Sequence, residues 1–244
     1  MTSITLIFFN EIIIFESMNF YELFLKPYET YQTYQIVLEI IAVIFGSLSV
    51  YFSIKKNIWV YPTGIISTVL YVYILYKFGL LGDMMINFYY SVMSVYGWVL
   101  WSRSSEDHIH VEVSWATKKE YIFAGVLFFL SLILVMLIYY YKPFIDNHFS
   151  MENVQLGLYH LDWANWLDVF TTAIFLVGMW LMAKRKIENW IFWIIGDIIC
   201  IPMMIYKGLG ITSLQYLVFT AMAIIGYYEW KKTIRTIDTK EVID

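Results

Sequence analysis

Residues 189–206 read NWIFWIIGDIICIPMMIY and follow the basic triplet Lys184-Arg185-Lys186 after Ile187 and Glu188. One charged group, Asp197, interrupts 18 otherwise uncharged residues. As a helix the run would cover roughly 27 Å, close to the ~30 Å hydrocarbon core of a bilayer. An apolar run of this length stopped by a basic loop reads as a membrane span. Asn189, Trp193 and Asp197 are spaced i, i+4, i+8 and share one helix face, with Trp190 beside it.

The rest of the chain has the same character. Of 244 residues, 60% are hydrophobic and 15% charged, against roughly 25% charged in soluble domains. Six more runs of similar kind lie near 34–54, 58–76, 84–101, 120–141, 163–183 and 211–230. The fold class expected is therefore an all-α polytopic membrane protein with seven transmembrane helices. The net charge of −4 argues against nucleic acid as a partner. The single cysteine, Cys200, excludes an internal disulfide. No G-x-x-x-x-G-K-[ST] or H-E-x-x-H occurs, so neither an ATP-binding loop nor a zincin site is expected. His108 and His110 in SEDHIHVE read as a solvated loop, and no metal or other cofactor is expected.

Lys and Arg set the orientation. With the N-terminus outside, the inner segments hold Lys55, Lys56, Arg103, Lys118, Lys119, Lys184, Arg185, Lys186, Lys231, Lys232, Arg235 and Lys240. The outer segments hold Lys26, Lys77, Lys142 and Lys207, so 12 of the 16 basic residues fall inside. Residues 4–25 carry Glu11, Glu16 and Glu22 among apolar positions and read as an interfacial amphipathic helix, with a further short span as the alternative. The opening residues lack a basic n-region, so no cleavable signal peptide is expected.

The first three spans resemble the last three. A shift of 132 places Gly46 on Gly178, Asn57 on Asn189 and Gly64 on Gly196. A shift of 130 places Tyr76-Lys77 on Tyr206-Lys207, and one of 129 places Trp101 on Trp230. Both copies run from outside to inside, so the repeats are parallel, with 120–141 as the odd linking helix. The arrangement expected is 3+1+3, as in SWEET-type transporters, whose substrate sits between the repeats. The organisation expected is an N-terminal amphipathic segment at 1–33, a first repeat at 34–102, a linker helix with loops at 103–162, a second repeat at 163–232 and a cytoplasmic tail at 233–244.

Polar groups inside a bilayer are costly and point to a substrate path or a helix-to-helix bond. An amide, two indoles and a carboxylate on one face suit a flat, hydroxylated, cationic ligand. The candidate residues are Asn189, Trp190, Trp193 and Asp197, their second-span counterparts Asn57 and Tyr61, and Asn87, Tyr90, Gln215 and Tyr216. Trp190 also suits a cytoplasmic interfacial belt. Asn165, Trp166, Asp168 and Glu39 are read as outer-end groups. Pro62 and Pro202 are read as interruptions of the second and sixth spans.

Several strings resemble the PnuC family of bacterial vitamin transporters. They are NIWVYPTGI at 57–65, the E-x-x-A-x-x-x-G-x-x-S-V pattern from Glu39 to Val50, and Tyr96-Gly97-Trp98 with Trp101. The second half adds Glu188-Asn189-Trp190 with Trp193, and Gly226-Tyr227-Tyr228 with Trp230. The resemblance covers residues 34–232 and implies an inner-membrane, trimeric carrier of nicotinamide riboside with a full-length SWEET-like fold. It implies facilitated diffusion, with trapping by a cytoplasmic kinase. It maps a W-x-x-W element onto Trp190 and Trp193, with Asn189 as the accompanying amide. Thiamine is also a flat cation, and sugars also stack on tryptophan, so a carrier of thiamine, of another flat vitamin or of a sugar is the alternative.

Overall fold

A computed structural model describes residues 21, 26, 29, 31–77, 81–103, 112–159, 161–206 and 210–241. Apart from Tyr21, the segment 4–25 read as amphipathic lies outside the described residues, as do residues 105–111 of SEDHIHVE and Lys207. Seven helices follow one another: α1 (Thr33–Ile54), α2 (Val60–Lys77), α3 (Leu81–Ser102), α4 (Lys118–Asp146), α5 (Trp163–Ala183), α6 (Asn189–Tyr206) and α7 (Gly210–Glu241). The last helix runs past the segment expected to span and takes in most of the expected tail. By length and composition α1, α4, α5 and α6 can cross a membrane. The other described helices carry polar faces, such as Ser67 and Thr68 on α2 or Gln215 and Tyr216 on α7, which lower their mean hydropathy.

Large apolar side chains stand exposed along the helices, among them Ile40 and Ile44 on α1, Phe129 and Leu130 on α4, and Leu217 and Ile225 on α7. So much exposed apolar surface suits lipid and would not stay dispersed in water. The backbone satisfies itself within each helix, as a bilayer requires.

The helix boundaries of the first three and the last three helices are related by one uniform shift. Adding 129 to Ile54, Val60, Lys77 and Leu81 gives Ala183, Asn189, Tyr206 and Gly210, the matching helix boundaries. The turns agree bond for bond. Lys56 N–H donates to Ser53 O and Asn57 N–H to Phe52 O, while Arg185 N–H donates to Met182 O and Lys186 N–H to Leu181 O. This is the paired closure of a Schellman turn, whose left-handed residue is usually glycine. Here Lys56 (φ 55°) and Arg185 (φ 61°) hold it. A cation there faces the negative end of the helix dipole. The shift of 132, which paired Asn57 with Asn189, is thereby corrected. Asn57 corresponds to Lys186, and Asn189 to Val60. Matching isolated asparagines and glycines misled by three residues, nearly a helical turn, so the partner face still looked plausible.

Neighbouring helices close a ring in the order α1, α2, α3, α5, α6, α7 and back to α1, with α4 outside against α5. The 129-residue shift maps each contact of this ring onto another. At the end of the ring bearing the basic turns, Tyr61 meets Trp101 edge-on (5.1 Å, 87°) and Trp190 meets Trp230 edge-on (5.4 Å, 89°). Trp101 and Trp230 lie 6.3 Å apart. Gly97 and Gly226 leave the room: a Cβ on Gly97 would lie 2.4 Å from the Tyr61 ring, and one on Gly226 2.6 Å from the Trp190 ring. Trp230 Nε1–H donates to Ser53 O (2.9 Å), tying α7 to α1. On the same side Lys56 Nζ donates to Thr233 Oγ1 (2.6 Å). Burial lowers the pKa of this ammonium, and the charge of Glu229 opposes the shift.

The strand-like stretch before α4 is held by the α5–α6 turn alone among the two equivalent turns described. Ser114 N–H donates to Arg185 O and Ile187 N–H to Ser114 O. Glu188, 4% exposed, accepts from Ala116 N–H (2.9 and 3.1 Å) and from the Tyr121 hydroxyl. Its counterpart in the first half is Trp59, which is exposed. Pro62 falls in the first turn of α2, where the missing N–H is free anyway and no interruption follows. Pro202 does lie inside α6.

Candidate functional site

The ring of six helices encloses a cavity of about 500 Å³ lined by α1, α2, α3, α5, α6 and α7, and by Tyr31 ahead of α1. The aromatic quartet lies at one end of it. Of the residues proposed from sequence, Trp190, Trp193, Asp197, Asn87, Tyr90, Gln215 and Tyr216 line this cavity. Asn57, Tyr61 and Asn189 do not. Asn57 Oδ1 accepts from Trp59 N–H (3.0 Å), closing the α1–α2 turn. Asn189 is fully buried and its Nδ2 donates to Lys186 O (2.6 Å). Tyr61 is fully buried against Trp101. Each stands within four residues of a lining residue in the chain, which sequence spacing cannot separate from lining the cavity. Trp190 is 2% exposed, which removes it from any interfacial belt.

One wall is aromatic. Phe175 stacks on Trp193 (5.3 Å, 27°) and lies nearly parallel to Tyr216 (6.3 Å, 4°). Tyr90 tilts against Trp193 (6.3 Å, 59°). Asp197 on the next turn of α6 is 3% exposed. It makes no hydrogen bond or ion pair with any described residue. A buried carboxylate without a partner is expensive, and its persistence calls for a ligand or a function.

Glu39 and Asp168, read from sequence as outer-end groups, also line the cavity. They are related by the 129-residue shift, and the Tyr139 hydroxyl donates to Asp168 Oδ2. Asn165 and Trp166 are not among the lining residues. Among the described residues the lining therefore carries three carboxylates and no Lys, Arg or His. Among the described residues no three metal-ligating side chains cluster. Sequence reasoning missed Phe175, Thr172 and the hydroxyl row Ser49, Ser67, Thr68 and Ser94. Serines and threonines in apolar runs look like packing residues, and Phe175 sits in an unbroken apolar stretch.

The model of the family described as "Nicotinamide mononucleotide transporter" matches residues 36–232. The chain belongs to this family. Its relatives are membrane transporters and not enzymes. The chain is 23% identical over 206 residues to the nicotinamide riboside transporter PnuC of Escherichia coli, covering 81% of this chain and 86% of that one. It is 28% identical over 204 residues to the PnuC of Neisseria mucosa, covering 80% and 72%. A riboflavin/roseoflavin transporter, RibM, of Streptomyces davaonensis is 20% identical over 192 residues, covering 77% and 81%. The fold is similar to a crystal structure of "the Vitamin B3 transporter PnuC", with a TM-score of 0.60 at 22% identity, over 84% of this chain and 94% of that one.

Proposed function

We propose that this chain carries nicotinamide riboside across the bacterial inner membrane by facilitated diffusion, a cytoplasmic kinase then trapping the vitamin. The observation that carries the substrate is Asp197, buried and unpartnered, beside the stacked Phe175, Trp193 and Tyr216. A pyridinium ring is flat and cationic. It can lie against these rings and supply the charge that Asp197 lacks. The binding residues proposed are Trp193, Asp197, Asn87, Tyr90, Gln215 and Tyr216, with Trp190 at the inner end. Among the described residues a phosphorylated ligand would meet three carboxylates and no lining cation, which favours the riboside over the mononucleotide. The names of the two PnuC relatives agree with this choice.

The helix arrangement we assign is 3+1+3 with parallel repeats, of the full-length SWEET type, and α4 as the linker. What supports it is the uniform 129-residue shift and the peripheral place of α4. The N-terminus is assigned outside and the C-terminus to the cytoplasm on the Lys and Arg distribution. A homotrimer follows only from the family resemblance. Flat vitamins remain the second reading, because a relative is named for riboflavin.

Purified protein in liposomes tests the proposal. It should take up labelled nicotinamide riboside down its gradient without ATP or an ion gradient, and reject the mononucleotide. Uptake of thiamine or riboflavin with none of nicotinamide riboside would refute the substrate. Accumulation above the outside concentration, driven by an ion gradient, would refute facilitated diffusion.

A further inference from the structure

The two halves of the cavity are built from equivalent positions filled with opposite chemistry. Where α1 crosses α2, Gly46 faces Ser67, and a Cβ on Gly46 would lie 3.0 Å from Ser67 Oγ. Adding 129 gives Phe175 and Gly196, and there a Cβ on Gly196 would lie 2.3 Å from Phe175 Cε1. Bulk and space have changed sides. The second half fills the crossing with a phenyl ring that extends the aromatic wall. The first half leaves it to a glycine and a hydroxyl. The same shift pairs Thr68 with Asp197 and Ser94 with Ala223.

The first half thus presents hydroxyls where the second presents rings and a carboxylate. Ser67 Oγ donates to Ala42 O (2.8 Å). Thr68 Oγ1 contacts Gly64 O (3.0 Å) and shares a hydrogen bond with Ser91 Oγ (2.7 Å). These oxygens keep lone pairs for an incoming O–H. Ser94 differs from them. It is 3% exposed, lines the cavity and makes no hydrogen bond with a described residue. On the same helix Ser91 and Ser102 turn back to the carbonyls of Asn87 (3.0 Å) and Trp98 (2.6 Å), the usual refuge of a helical serine. Ser94 forgoes that bond while facing the gap beside Gly64, whose Cβ would lie 3.6 Å from its Oγ.

We propose that Ser67, Thr68 and Ser94 form a polyhydroxyl subsite that takes the sugar of the ligand while the aromatic wall takes its flat ring. The proposal rests on the nicotinamide riboside reading and adds an orientation to it. Sugar hydroxyls donate to the lone pairs of Ser67 and Thr68, and Ser94 supplies a donor or an acceptor. A buried hydroxyl left unpaired penalises any ligand that lacks the matching group. The subsite therefore selects a ribosylated ring over the same ring carrying a methyl group.

The test titrates purified protein by calorimetry with nicotinamide riboside and with 1-methylnicotinamide, the same cation without the sugar. Ser94→Ala and Thr68→Val, each matched to wild type in thermal midpoint, are the variants. Both should weaken riboside binding by about tenfold and change methyl-ligand binding less than twofold. Equal loss for both ligands, or none for the riboside, overturns the subsite. If wild type binds neither ligand, the vitamin reading fails and the subsite falls with it. If wild type binds both equally well, the vitamin reading stands and the subsite alone is overturned.

Discussion

Replacing Asp197 by Asn changes one thing above all, the charge. The side chain keeps its shape and its place on α6, 3% exposed in the cavity wall. A cationic ring centred about 4 Å from the carboxylate interacts with it by roughly 4 kcal/mol at an effective dielectric constant near 20. Desolvating the two charges offsets part of this, leaving about 2 kcal/mol. That corresponds to about a 30-fold weaker Kd for nicotinamide riboside. The folded protein should respond in the opposite sense. No basic group or hydrogen-bond donor among the described residues pairs with Asp197, so removing its charge relieves an isolated buried carboxylate. The thermal midpoint of Asp197→Asn in detergent should hold or rise. Calorimetric titration and a thermal melt on one preparation give both numbers. Affinity within threefold of wild type, together with a fall in midpoint of several degrees, would show that Asp197 braces the helices and would refute this reasoning.

Other outcomes follow from the same geometry. Trp193→Ala removes the indole stacked on Phe175 and should weaken vitamin binding by ten- to a hundredfold, in line with roughly 1–3 kcal/mol for stacking a base on an aromatic ring. Glu188→Ala strands Ala116 N–H and the Tyr121 hydroxyl, a loss of about 2–4 kcal/mol of stability readable as a lower thermal midpoint, which Glu188→Gln should partly restore. Gly97→Ala and Gly226→Ala drive a methyl into Tyr61 and Trp190. Each should cost about 1–3 kcal/mol, and similar penalties at both positions would reflect their equivalence across the repeat.

The helices were legible because each is a long apolar run with a charged or turn-forming edge. The predicted spans at 163–183 and 189–206 coincide with α5 and α6. The existence of a repeat was also legible, from Trp101 and Trp230 and the basic turns. Its register was not, because scattered identities weigh less than the backbone hydrogen bonds that close the two turns. Side-chain destinations were half legible. Periodicity put Asn189, Trp193 and Asp197 on one face, and the fold sent the first to a turn, the second to an aromatic stack and the third into the cavity wall.

Composition and hydropathy by themselves determined a polytopic helical protein in a membrane. Those properties follow from transfer free energies and from positions along one chain. Only the tertiary structure decided that Glu39, Asp168 and Asp197 share one cavity. The tertiary structure alone also exchanged bulk for space between Phe175 and Gly46. The reason is physical. The ring closes through contacts of α1 with α7 and of α3 with α5, between segments far apart in sequence. No local pattern records which side chains such a closure brings face to face.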